Sequence, residues 1–267
     1  MSLPKFGAST DLFKTALEGM KELQGYGFDF FEILVQEPFG TPGKLMKEQK
    51  EIIEFVKENN LFLLGHPPHW GEIASMHEGI RKAWVNEYKE SIEISQKLGI
   101  KKLVVHPHTK KYPKGESFEE EMRENNIQSL TEINDYGKDH GVTIVLENVP
   151  RKESVFGFGD FKHLADNVDG LKVLIDIGHA HIYYGMDNVF KYLKAFMPKI
   201  DHLHFHDNYG EEDDHLPIGA CSIDYKSVVE FLKKKKYDKT ITFEIFTKDK
   251  DYASISMQKI KGMWGVK

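Results

Sequence analysis

Eight times along this chain a short apolar run, rich in β-branched residues, gives way to a longer amphipathic stretch. The runs predict strands over Lys5–Ala8, Asp29–Leu34, Leu61–Gly65, Lys102–Val105, Thr143–Leu146, Lys172–Ile175, Ile200–Phe205 and Thr240–Phe243. They are near-continuously hydrophobic rather than alternating, as strands covered on both faces are. Between them the 3.6-residue pattern predicts helices over Leu12–Leu23, Leu45–Asn59, Arg81–Leu98, Phe118–Asp139, Phe161–Asn167, Val189–Ala195, Tyr225–Lys235 and Tyr252–Met263. Gly99 and Gly141 stand where helices hand over to strands, the C-cap position. Eight such units in 267 residues predict an α/β fold, a single closed (β/α)8 TIM barrel. No composition break divides the chain, so one domain over 1–267 is expected. An open doubly wound sheet would carry a Gly-rich phosphate turn after its first strand, and GASTDLF is not that turn.

Six of the predicted strands run into a side chain that binds metal ions. LLGHPPH, VVHPH, IVLENVP, LIDIGHAH, HLHFHD and TFEIF deliver His66, His106, Glu147, Asp176, His204 and Glu244. A parallel barrel points every strand C-terminus at one face, so these six are expected to meet there. A single histidine is by default a hydrogen-bonded core or surface residue. The repeated position is what separates this set from chance. Glu147 and Glu244 close apolar strands, where a buried carboxylate without a partner is costly and a cation removes the cost. His179 follows Asp176 across a Gly turn, and Asp213 and His215 alternate in DDHLPIG. That makes nine donors. One ion takes about four protein ligands, so the set suits two or three divalent ions, zinc first, with manganese, magnesium or cobalt as alternatives.

Charge and composition narrow the partners. Net charge is -6, and Arg81, Arg123 and Arg151 are the only arginines, so no broad positive field attracts nucleic acid. The run from Glu211 to Asp214 is four consecutive acids and repels a phosphate backbone. The single cysteine, Cys221, excludes an intrachain disulfide and fits a reducing compartment. No apolar run reaches membrane-spanning length and MSLPKFGAS lacks a signal-peptide core, so a cytoplasmic protein with no membrane partner is expected. Oligomeric state leaves no mark in the sequence. Long stretches after strands three, four, five and seven supply candidates for substrate contact. His69 and Trp70 offer stacking surfaces. Lys110, Lys111 and Lys114, with Arg151 and Lys152, offer cations for a phosphate. Glu32, at the end of the second strand, is a substrate-side candidate at the mouth or else a partner for a rim lysine.

With these residues in order, the chain resembles the xylose isomerase-like TIM barrels, the superfamily that also holds endonuclease IV (AP endonuclease family 2). The resemblance covers almost the whole chain. Its shared four-ligand core maps onto Glu147, Asp176, His204 and Glu244, and the endonuclease IV pattern adds His66, His106, His179, Asp213 and His215. The resemblance implies one zinc on His66 and His106, a second on Asp176, His204 and Glu244 with Glu147 between them, and a third on His179, Asp213 and His215.

Two chemistries follow from the resemblance. Three ions imply hydrolysis of a phosphoric ester, of a sugar phosphate or an abasic site. One ion on the core four implies a sugar or sugar-phosphate isomerase or epimerase working through an enediolate. There Glu147 and Glu244 would move the proton, and His179 would contact substrate. Such relatives often place an arginine in the loop after strand seven; this chain has Asp213 and His215 there, which favours hydrolysis. The acidic loop favours a small phosphorylated sugar over DNA. A third class, a metal-holding barrel serving only as a binding module, asks for less exacting conservation of donors than nine.

Overall fold

Strand and helix propensity here resolve into one closed sheet. The computed structural model describes residues 3–109, 116–150 and 156–266. In chain order the elements are β1 (Lys5–Ser9), α1 (Ala16–Glu22), β2 (Phe30–Leu34), α2 (Pro42–Lys47), α3 (Gln49–Glu58), β3 (Phe62–His66), α4 (Glu78–Leu98) and β4 (Lys102–Val105). They continue with α5 (Glu116–Asp139), β5 (Thr143–Glu147), α6 (Phe158–Asn167), β6 (Lys172–Asp176), α7 (Ile177–His181) and α8 (Gly185–Phe196). The last are β7 (Ile200–Phe205), α9 (Tyr225–Lys234), β8 (Thr240–Phe243) and α10 (Asp251–Trp264). All strands pair in parallel with their sequence neighbours, and β8 closes onto β1 through Lys5↔Thr240 to Ala8↔Phe243. The predicted (β/α)8 barrel is the observed one.

Strand boundaries fall within two residues of expectation. The helices differ more. The stretch read as one helix over Leu45–Asn59 is two, because Glu48 leaves helical geometry (φ -95°, ψ 4°) and serves as the end of α2 and the start of α3. The five-residue α7 was not foreseen; it is too short to show a period. Helix ends are chemically specified. Thr15 and Glu18 form a capping box on α1, and Gly99 ends α4 at φ 76°, a conformation costly for a side-chain-bearing residue.

The main core lies between sheet and helices, where residues such as Phe31, Ile33, Ile144, Leu146, Ile175, Leu203 and Phe205 meet Ile92, Leu130, Leu164 and Leu193. Fully burying each such side chain contributes about 1.5–3 kcal/mol, a reserve that offsets a polar barrel interior. Inside the barrel, Val104, Val145 and Leu174 form a small separate cluster. Side chains alternate along a strand, so the residue two further on faces inward one layer higher. Those residues are His106, Glu147 and Asp176. The same step on β7 and β8 leads from His202 to His204 and from Thr242 to Glu244. The candidate site is therefore the top layer of the barrel interior.

Candidate metal centre

Glu147 sits at the middle of the top layer and is 1% exposed. Its Oε2 lies 2.7 Å from His106 Nε2 and 3.5 Å from His66 Nε2. Its Oε1 lies 3.3 Å from His179 Nδ1 and 3.5 Å from His204 Nδ1. One carboxylate thus turns an oxygen to each of two groups. Burial alone would raise its pKa, but the surrounding imidazoles, His106 and His204 foremost, hold it well below the usual carboxylate range.

The imidazoles are aimed by their outer nitrogens. His66 Nδ1 donates to the Pro67 carbonyl (2.9 Å), His179 Nδ1 to the Asn148 carbonyl (2.8 Å) and His215 Nδ1 to the Glu244 carbonyl (3.0 Å). Each bond leaves the Nε2 lone pair free to face a carboxylate: Glu147 for His66, Asp213 for the other two. His204 is held the opposite way. Its Nε2 donates to Glu32, 3.1 and 3.2 Å from the two oxygens. Its Nδ1 then faces Glu244 (3.3 Å), Glu147 (3.5 Å) and Asp176 (3.8 Å). This fully buried Nδ1, and Oδ2 of the fully buried Asp176, have no hydrogen-bond partner among the described residues. Lone pairs converging on anions repel unless a cation or protons lie between them. Where the only candidate is a proton, the imidazoles take it up: burial lowers the His66 pKa, but Glu147 more than offsets this and raises it to about 9. The donor set, its tautomer-fixing partners and its unpartnered atoms fit divalent metal ions.

Local structure explains the positions. Asp176 caps α7, accepting from His179 N–H at 2.7 Å, so the strand-to-helix turn carries both side chains to the mouth. Asn148 clamps the Asp176 backbone in both directions (2.8 and 3.0 Å). Asp213 lies on the exposed loop after β7, and His215 takes φ 47° there, a left-handed conformation that costs about 1–3 kcal/mol and holds its ring inward.

Sequence reasoning placed Glu32 at the mouth, and this is corrected. β2 runs on to Leu34, and Glu32 pairs in register with Leu64, one layer below His66. Fully buried, it binds His204, His202 Nε2 (2.9 Å) and the Thr242 hydroxyl (2.6 Å). It supports the site from beneath. His69 and Trp70 are exposed on the rim, edge-to-face at 4.7 Å, with His69 5.9 Å from His106. Lys110, Lys111, Lys114, Arg151 and Lys152 lie outside the described residues. Two residues were missed. Lys191 has no sequence signal; it lines a cavity of about 100 Å³ beside His179 with Val149, Phe158 and Tyr184. His206 was discoverable, two residues after His204, and it joins His179, Asp213 and His215 within 4.8 Å. The donors fall into overlapping groups, among them His66, His106 and Glu147; Asp176, Glu147 and Glu244 around His204 Nδ1; this last one; and two sets that include Glu32.

Comparison with known proteins places the same architecture elsewhere. The family profile described as xylose isomerase-like TIM barrel matches residues 20–262. An uncharacterized protein of Methanocaldococcus jannaschii is 30% identical over 96% of this chain and 98% of its own. The probable endonuclease 4 of Aquifex aeolicus is 26% identical over 91% of both chains. A crystal structure of a D-tagatose 3-epimerase-like protein superimposes with a TM-score of 0.86 at 30% identity, covering 98% of this chain and 97% of that one.

Proposed function

The chain belongs to the xylose isomerase-like TIM-barrel family, and from that premise we propose that it is a divalent-metal-dependent phosphoesterase acting on a small sugar phosphate. The observation that carries this reading is the position of Glu147, with one oxygen on each of two donor groups. His66, His106 and Glu147 would hold one ion, Glu147, Asp176, His204 and Glu244 a second, and His179, Asp213 and His215 a third, each a mix of imidazole and carboxylate that suits zinc.

When bound, divalent ions supply positive charge that polarises a phosphoryl group and acidifies water. The chain's own residues do the rest. Glu147 sets the spacing between groups. Glu32 keeps a proton on His204 Nε2 and so keeps Nδ1 directed inward. The cavity beside His179, about 100 Å³, opens next to the third donor group. Its Lys191 ammonium, 4.1 Å from the centre of the Phe158 ring, offers a cation to a substrate phosphate. His69 and Trp70 offer a wall for the apolar face of a sugar. The acids 211–214 oppose a DNA backbone.

A second reading has its own support. The 30% identity to a D-tagatose 3-epimerase-like protein favours a sugar epimerase or isomerase, with Glu147 and Glu244, both within 3.5 Å of His204, moving the proton. Zinc- and manganese-loaded protein assayed against sugar phosphates, free ketoses and an abasic-site duplex separates the two. Phosphate release from a sugar phosphate, lowered on the order of 10³-fold by Glu147→Gln, is the expected result. Ketose interconversion with a single ion per chain and no phosphate release replaces it with the epimerase reading.

A further inference from the structure

His206 holds a place that packing alone does not justify. It is fully buried; Nδ1 has no hydrogen-bond partner among the described residues, and Nε2 has only the Asp176 carboxylate, at 3.1 Å and off hydrogen-bond geometry. A buried polar group left in that state costs about 1–3 kcal/mol. The fold nevertheless makes room for it. A Cβ on Gly178 would lie 2.0 Å from the His206 ring, so glycine there clears the space. The ring stacks on His215, centroids 3.9 Å apart at 18°. Its Nε2 lies 3.6 Å from Asp213 Oδ1 and 3.1 Å from Asp176 Oδ1. On the other side of Asp213, His179 Nε2 and His215 Nε2 are each 3.2 Å from Oδ2. Ligand atoms around a tetrahedral zinc stand roughly 3.3 Å apart, close to these separations.

We propose that His206 is the fourth protein ligand of the third ion, completing a closed set of three imidazoles and one carboxylate with no position left for substrate. Closed four-ligand sites are structural, whereas catalytic sites keep a position open. The third ion then clamps the loop carrying Asp213 and His215 onto the turn carrying Asp176 and His179. Substrate chemistry belongs to the two groups that share Glu147. This deepens the metal-centre reading above and rests on it, though not on the choice between hydrolysis and epimerisation.

The test uses full-length protein loaded with Co²⁺, with ion counts, visible absorption and chelator release as readouts. In the unsubstituted protein one ion is expected to give an intense four-coordinate band that added inorganic phosphate does not perturb. His206→Ala, and His206→Gln if the alanine variant fails to fold, should weaken that band and make it respond to phosphate. Release of that one ion should quicken by about 10–100-fold. A band unchanged by either substitution would mean that His206 serves only as a partner of Asp176. A wild-type band that already responds to phosphate overturns the proposal equally, as does a wild-type ion count that His179→Ala leaves unchanged. Three ions with no phosphate release would remove the phosphoesterase reading and leave this one standing.

Discussion

At the scale of single residues, protons and metal ions compete for the same lone pairs. In metal-free protein the His66 pKa lies near 9, above its ordinary 6.5, because Glu147 outweighs the effect of burial. The resulting stabilisation is complete below about pH 6.5 and is lost as pH rises through about 9. An ion needs the neutral ring, so loading near neutral pH must expel the proton. Apparent zinc affinity is therefore expected to climb from about pH 6 to about pH 9, roughly tenfold per unit for each proton displaced. Calorimetry in buffers of different ionisation enthalpy counts those protons; an affinity flat across that range contradicts the geometry around Glu147.

At the scale of elements, the loop after β7 depends on one carboxylate. Asp207, fully buried, accepts from the backbone N–H of Gly219 (2.9 Å), Cys221 (3.0 Å), Ile223 (3.1 Å) and Asn208 (3.0 Å). It also pairs with Leu216 through both backbone bonds, at 2.8 and 2.9 Å. Asp207→Asn exchanges an acceptor for a donor against these N–H groups. It should cost about 1–3 kcal/mol and weaken retention of the ion on Asp213 and His215, read by thermal unfolding and metal content. Unchanged stability would show that the loop is held by other contacts. The strands were legible because runs buried on both faces leave continuous apolar signatures. The α2–α3 break at Glu48 left none, having no glycine or proline at the joint. Glu32 was misplaced because strand periodicity gives the face of a residue but not its layer; that needs the pairing with Leu64. The alternation of His202, His204 and His206 was readable in HLHFHD, yet only the middle ring was assigned.

At the scale of the whole molecule, donors come from β3 to β8 and their loops, and β8 closes the sheet between β7 and β1. Binding the ions and closing the sheet should therefore be linked, with one unfolding transition for the chain. Ions at about a thousandfold excess over their dissociation constant would add roughly 4 kcal/mol. Stripping them should then lower the melting temperature by on the order of 10 °C, measured by calorimetry before and after chelation; equal melting temperatures would count against coordination in this layer. No described helix is long and apolar enough to cross a membrane. The two-sided placement of Glu147 carries a last consequence. An occupant on one flank draws electron density from the oxygen offered to the other, so the later arrival finds a donor already aligned but weaker. On the proposed two-ion reading, filling would be stepwise, and the half-filled protein would be a distinct species with room for two different elements side by side.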